Sequence, residues 1–217
     1  MFNRANYWGY YERENPAKHI DYFTEHSRKR FLHPDEMPRF LLALSESPAE
    51  FRDFVLVGLL TGARKSNVLA MRWTDVNFER ATWEIPTTKN GDPHVVPLVP
   101  EAIEVLRHRR RPPDSNWVFP SASASGHYEE PKRAWETLLN RARIEDLRIH
   151  DLRRTVGSWQ AALGASLPII GSTLGHRSIH TTSIYARLSL DPVRASLESA
   201  TSAMLQTLEH GNVRVGN

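Results

Sequence analysis

One stretch near the C-terminus, Leu174-Gly175-His176-Arg177-Ser178-Ile179-His180-Thr181-Thr182-Ser183-Ile184-Tyr185-Ala186-Arg187-Leu188, sets a histidine after a glycine break and then a short amphipathic run with one tyrosine. Upstream lie His150-Asp151-Leu152-Arg153-Arg154-Thr155 and, far earlier, Thr61-Gly62-Ala63-Arg64. Together they offer guanidinium forks, imidazoles and a phenolic hydroxyl, the groups needed to attack a phosphodiester without a metal. His150 and Arg153 are spaced to share one face of a helix. A helix N-terminus there adds free backbone N–H groups for an anion.

Taken singly, each residue has an ordinary explanation. An H-x-x-R pair usually sits on a surface, an arginine after a helix-ending glycine usually points to solvent, and a lone tyrosine is usually half-buried core. Lys89, at an Asn-Gly turn, is by itself a solvated turn residue. A metal phosphohydrolase built on His150-Asp151 lacks evident further ligands. Zinc on His176 and His180 lacks a matching third ligand. No Gly-x-Ser-x-Gly elbow, Walker loop or Gly-x-Gly-x-x-Gly motif occurs.

The elements that must position these groups read as mainly helical. The 217 residues suffice for one good-sized domain, and 40% hydrophobic with 24% charged residues is ordinary for a globular chain. Cysteine is absent, which removes disulfides and thiolate chemistry. No run approaches the roughly 18 apolar residues of a membrane span. Net charge is only +3, yet basic residues cluster at Arg28-Lys29-Arg30, Arg107-His108-Arg109-Arg110-Arg111 and Arg141-Ala142-Arg143, which suits a polyanion.

Periodicity predicts a helix behind Pro34-Asp35-Glu36 with Met37, Phe40, Leu41 and Leu44 on one face. A second follows from Ser47 and stops at Thr61-Gly62, and a third covers about 65–71. The period then changes. Runs at 76–78, 82–85 and 94–98, the last two joined by Lys89-Asn90-Gly91-Asp92, predict a three-stranded antiparallel sheet with Lys89 near a hairpin tip. Helices are expected after Pro100 to about 111 and over about 131–143, 151–163, 168–174, 179–188 and 192–208, with a mobile Ser/Ala/Gly loop at 121–126.

In this order the motifs closely resemble the tyrosine recombinases, the phage integrase family. Thr61-Gly62-Ala63-Arg64 through Asp75-Val76 resembles the first arginine box, and Thr88-Lys89-Asn90-Gly91 with Val95-Val96-Pro97-Leu98 resembles the β-hairpin lysine motif. His150 to Thr155 resembles the His-x-x-Arg box, while Leu174-Gly175-His176 and Thr181 to Tyr185 resemble the final histidine and nucleophile boxes. The likeness runs from about Arg30 to Leu188.

It implies the tyrosine recombinase catalytic-domain fold, mainly α with a small three-stranded antiparallel sheet. It also implies a site-specific DNA recombinase working through a 3′-phosphotyrosyl intermediate. Tyr185 is then the nucleophile, Arg64 and Arg153 the phosphate clamp, and His150 the acid/base. Lys89 becomes the general acid and His176 a phosphate hydrogen-bond donor, with no cofactor and no metal.

The implied partners are double-stranded DNA, a homo-tetramer on DNA from a free monomer, and accessory DNA-bending proteins. The implied place is the cytoplasm, at the bacterial nucleoid. Residues 1–27 are expected to be a linker or remnant of an upstream DNA-clamping domain, 28–208 the catalytic domain, and 209–217 a flexible tail, in an excised domain or a naturally short protein. The apolar stripe Leu190, Val193, Leu197, Ala200, Met204 and Leu208 is expected to dock on a neighbour or to fold back. Without DNA, Tyr185 is expected to be imperfectly placed. The alternatives are a type IB topoisomerase and a non-cleaving DNA-binding remnant.

Overall fold

The computed structural model describes residues 1–18, 20, 23, 28–87, 93–185 and 191–211. Its elements run α1 (Phe2–Tyr7), α2 (Met37–Ser45), α3 (Ala49–Thr61), α4 (Lys65–Leu69), a 3₁₀ turn (Trp73–Asp75), β1 (Val76–Asn77), β2 (Thr82–Ile85) and β3 (His94–Pro97). Then come α5 (Pro100–His108), α6 (Lys132–Ala142), α7 (Asp151–Ala162), α8 (Leu167–Leu174), α9 (Ile179–Thr182) and α10 (Asp191–Gly211). The chain is mainly helical, and its strands form one antiparallel sheet in the order β1-β2-β3, as the sequence predicts.

Helix α3 forms the middle of the domain. Phe51, Phe54, Val55, Val57, Gly58 and Thr61 are all buried, so the helix is covered on most sides, chiefly by α5 and α7. Phe54 meets Phe119 edge-on at 6.0 Å, and Phe40 meets Trp135 at 6.0 Å. The sheet closes one side of this core: Trp83 pairs with Val96, and both are buried, while the flanking Glu84 and Val95 face outward. The last described pair is Ile85 with His94, so the predicted Lys89-Asn90-Gly91-Asp92 turn lies outside the described residues.

Several boundaries differ from expectation for local reasons. The helix expected over 101–111 ends at His108 because Arg109 turns back into the core. There it donates to the Val118 carbonyl at 2.9 Å and meets Asp53 at 3.0 Å and Glu50 at 2.8 Å. The helix expected over 179–188 stops at Thr182. Hydroxyl side chains compete there for backbone partners, and the Ser183 hydroxyl donates to the His180 carbonyl at 2.7 Å. Helix α10 runs through Gly211, past the boundary expected at 208. Helix α1 buries none of its residues. Among the described residues no helix is long and apolar enough to cross a membrane.

The basic clusters are divided: Arg28, Arg30 and Arg109 are used inside the fold, while Lys29, Arg107, Arg110, Arg111, Arg141 and Arg143 are exposed. Arg28 and Arg30 bind carboxylates, Arg109 is buried, and Arg111 lies 4.0 Å over the Trp73 ring. Spacing alone shows charge but not which of these cations are neutralised inside the fold; the exposed ones keep the basic surface that the sequence suggests.

Candidate active site

The site gathers at the ends of three helices. Helix α3 ends at Gly62, whose left-handed φ of 65° turns the chain sharply toward α4, with Arg64 at the N-cap. A side chain at Gly62 would also meet Leu174, since an added Cβ would lie 2.8 Å from its Cδ2. Helix α8 ends at Leu174-Gly175, and α7 begins at His150-Asp151.

Arg153 holds these ends together. Its Nη1 donates to the Gly62 carbonyl at 2.8 Å and its Nη2 to the Leu174 carbonyl, so one guanidinium caps the carbonyl ends of α3 and α8. A cation is favoured at both places, where helix dipoles present partial negative charge. Arg153 is 6% exposed, and burial with the nearby Arg64 lowers its pKa to about 10, leaving it charged at neutral pH.

The histidines lie in the field of these arginines. Burial, then Arg153 and Arg64, pushes His176 down to about 4, so it is neutral at pH 7. Its Nδ1 lies 2.9 Å from the buried Thr182 hydroxyl. With that hydroxyl as donor, the ring proton sits on Nε2 and is available to an acceptor in the pocket. His150, at the N-cap of α7, is also lowered, by partial burial first and then by Arg153 and Arg154, with Asp151 opposing. A neutral imidazole there can accept a proton.

Tyr185 is 3% exposed and belongs to a small cluster with Ile170 and Leu174. Its ring stacks on His176 at 6.4 Å and 12°. It also rests on Gly157 of α7, where an added Cβ would lie 2.7 Å from both Cε1 and Cζ. Helix α7 thus supplies a flat seat for the ring of Tyr185 in its own chain. Burial raises its pKa, while Arg153 and Arg154 oppose that rise. The phenol needs a base.

Of the predicted site residues, Arg64, His150, Arg153, His176 and Tyr185 converge, and Lys89 lies outside the described residues. Three contributors were not singled out in the sequence. Thr182 sets the His176 ring, and Gly157 seats Tyr185. His94 packs on Gly175, where an added Cβ would come within 3.0 Å of its ring, and it bonds the Thr173 backbone. Burial and the same two arginines lower the His94 pKa. An isolated mid-helix glycine was the available signal for Gly157. Among the described residues, no group of three His, Cys, Asp or Glu side chains could hold a metal ion.

A helical domain with a three-stranded sheet thus brings two arginines, neutral histidines and a buried tyrosine together. The chain belongs to the phage integrase family, whose sequence profile matches residues 30–191. It is 32% identical over 147 residues to the prophage integrase IntF of Escherichia coli, covering 65% of this chain and 31% of that protein. It is 28% identical over 158 residues to the tyrosine recombinase XerA of Pyrococcus furiosus, covering 70% of this chain and 55% of that one. The chain thus spans between 31% and 55% of these curated relatives.

Solved structures share the fold. The catalytic domain of bacteriophage HP1 integrase superposes with a TM-score of 0.61 at 22% identity, covering 77% of this chain and 93% of that one. The XerH site-specific recombinase bound to its difH substrate gives 0.65 at 20% identity, covering 87% of this chain and 58% of that one.

Proposed function

We propose that this chain is the catalytic domain of a site-specific DNA recombinase of the integrase type. It cuts and rejoins double-stranded DNA through a 3′-phosphotyrosyl intermediate. Family membership supports this, and the observation that carries it is a buried tyrosine stacked on His176 within the field of Arg153. The oxygen of Tyr185 attacks the scissile phosphorus while the bond to the 5′-oxygen breaks. The phenolic proton passes to His150, and Lys89 donates one to the departing 5′-oxygen. Arg64 and Arg153 hold the non-bridging oxygens where negative charge grows, each lowering the barrier by about 3–4 kcal/mol by analogy with oxyanion-hole donors. His176 donates from Nε2 to a phosphate oxygen. Religation reverses these transfers and needs no cofactor.

The wider assembly belongs to the same proposal. Residues 1–27 serve as a linker or remnant of an upstream DNA-clamping domain, 28–208 form the catalytic domain, and the remainder is a tail. Protomers are monomeric when free and tetrameric on DNA, with accessory DNA-bending proteins, in the bacterial cytoplasm at the nucleoid. The exposed Val193, Leu197 and Met204 on α10 suit contact with a neighbouring protomer.

A nicked suicide duplex built from the DNA flanking the gene tests the chemistry. The expected product is an SDS-resistant protein–DNA adduct that is absent in Tyr185→Phe; an undiminished adduct in that variant would rule out the nucleophile. Relaxation of supercoiled DNA without site preference would instead mark a topoisomerase.

A further inference from the structure

The triplet Arg28-Lys29-Arg30 was conspicuous in the sequence, and the proposed chemistry leaves it unexplained. Arg28, whose side chain is partly exposed, grips two carboxylates. Its Nε lies 3.2 and 3.0 Å from the two carboxylate oxygens of Asp151, and its Nη2 lies 2.9 Å from one of them. Its Nη1 lies 2.9 and 3.0 Å from the oxygens of Asp146, and Nη2 also donates to the Asp146 carbonyl.

Asp151 gives this contact weight. An exposed ion pair contributes little, but the Asp151 side chain is only 1% exposed, and a buried carboxylate without its partner is costly. The same carboxylate accepts the Arg148 backbone N–H at 2.8 Å, so it also shapes the turn that delivers His150 to the start of α7. Arg154 waits nearby, 3.8 Å from Asp151, with its buried Nη1 unpartnered.

The grip is the first of three along one line. The Leu32 backbone N–H donates to the Thr155 hydroxyl at 2.9 Å, and the Trp159 indole donates to the Leu32 carbonyl at 3.0 Å. Residues 151, 155 and 159 are spaced along one face of α7. At about 100° per residue, His150, Arg153 and Gly157 fall on the opposite face, which forms the site. The segment from Arg28 to Leu32 is therefore a strap behind the catalytic helix.

We propose that Arg28 is a positioning residue for the reaction, fixing the N-terminus of α7 and the adjoining His150 through Asp151. This rests on the DNA-cleaving role proposed above. The catalytic helix is thereby coupled directly to the chain that leads into the domain. Without Arg28, Asp151 turns to Arg154 or to water, and the turn bearing His150 shifts.

The groups that set the His150 charge are Arg153, Arg154 and Asp151 on its own helix and Arg64 across the site. Removing the Arg28 cation leaves Asp151 less compensated, so His150 should bind a proton more readily. The test is an NMR titration of histidine-labelled protein, with His150 assigned by His150→Gln. In Arg28→Met the His150 midpoint should move up in pH, in Arg28→Lys it should stay near wild type, and in Arg30→Met, which breaks the neighbouring pair with Glu36, it should not move. If Arg28→Met does not fold, Arg28→Gln, which keeps a donor without the charge, carries the test. An unchanged His150 midpoint in a folded, uncharged Arg28 variant overturns the proposal.

On the nicked duplex, Arg28→Met should form adduct about tenfold more slowly with DNA affinity unchanged, as expected for a displaced catalytic group. A wild-type protein that forms no adduct would refute the proposed function, while the titration would still report on Arg28.

Discussion

Gly157→Ala tests whether the seat beneath Tyr185 belongs to the reacting geometry. The new Cβ would stand 2.7 Å from Cε1 and Cζ of Tyr185 and 3.1 Å from Cδ1 of Leu174. Carbon atoms rest comfortably at about 3.5–4.0 Å, so the ring must retreat by about 1 Å. It cannot do so freely, because His176 stacks on it and the fully buried Ile170 belongs to the same cluster. The fold should survive. Alanine gains about 1 kcal/mol over glycine inside a helix, against about 1–3 kcal/mol for overpacking, so the net loss is at most about 2 kcal/mol. At about 2–4 °C per kcal/mol for this size, Tm should fall by less than about 8 °C. A nucleophile displaced by about 1 Å loses about a hundredfold in rate, equivalent to about 2.7 kcal/mol of barrier. Single-turnover adduct formation on the nicked duplex, with DNA affinity measured in parallel, separates these effects. A folded Gly157→Ala protein that cleaves within about threefold of wild type would refute the reasoning, because Tyr185 would then have to leave Gly157 before attacking.

Two further outcomes follow from the histidine that faces this ring. Thr182→Val keeps the shape but removes the hydroxyl beside His176 Nδ1, so the ring loses its fixed tautomer; adduct formation should drop about tenfold with DNA binding intact. An unchanged rate would show that Thr182 does not set the proton on Nε2. His176 is lowered to about 4 in the folded chain from an ordinary value of 6.5, so between those values the unfolded chain binds more protons. Its contribution to stability is therefore complete above about pH 6.5 and is lost as pH falls toward 4, in the same direction as those of His150 and His94. Tm measured across that window should decline, and His176→Gln should decline less steeply; identical slopes would remove His176 as a cause.

How much of this was legible depends on what each residue needs to declare itself. Arg64, His150, Arg153, His176 and Tyr185 announce themselves by chemical type and order, and apolar periodicity places most of the helices that carry them. Gly62 is legible because a helix-ending glycine has a local conformational reason. Thr182, Gly157, His94 and Arg28 act through contacts with residues distant in sequence or around a turn, and no spacing rule exposes those. Arg109 is the clearest misreading. It lies in a basic run that suggests a solvated face, yet its side chain is 5% exposed, because Asp53 and Glu50 on α3 wait for it in the core. The helix expected through Tyr185 failed for the opposite reason, a local one: the Ser183 hydroxyl takes the His180 carbonyl.

The charge balance of the pocket bears on the anion-holding role proposed for Arg153. Arg153 is held by two neutral carbonyls, at Gly62 and Leu174, and by no carboxylate among its described hydrogen bonds. Its dipolar partners fix its direction and leave its net charge in place. Asp151, beside His150, is compensated from behind α7 by Arg28; it opposes the fall in the His150 pKa but does not outweigh burial and Arg153. Burial first, and then the field of Arg64 and Arg153, lowers His94, His150 and His176 together, which keeps additional protons off the imidazoles. The pocket therefore carries permanent positive charge on arginine and neutral, hydrogen-bonding histidines. Under the function proposed above, such a combination favours a phosphodiester oxygen as the first full counter-charge and leaves His150 free to take a proton from the phenol.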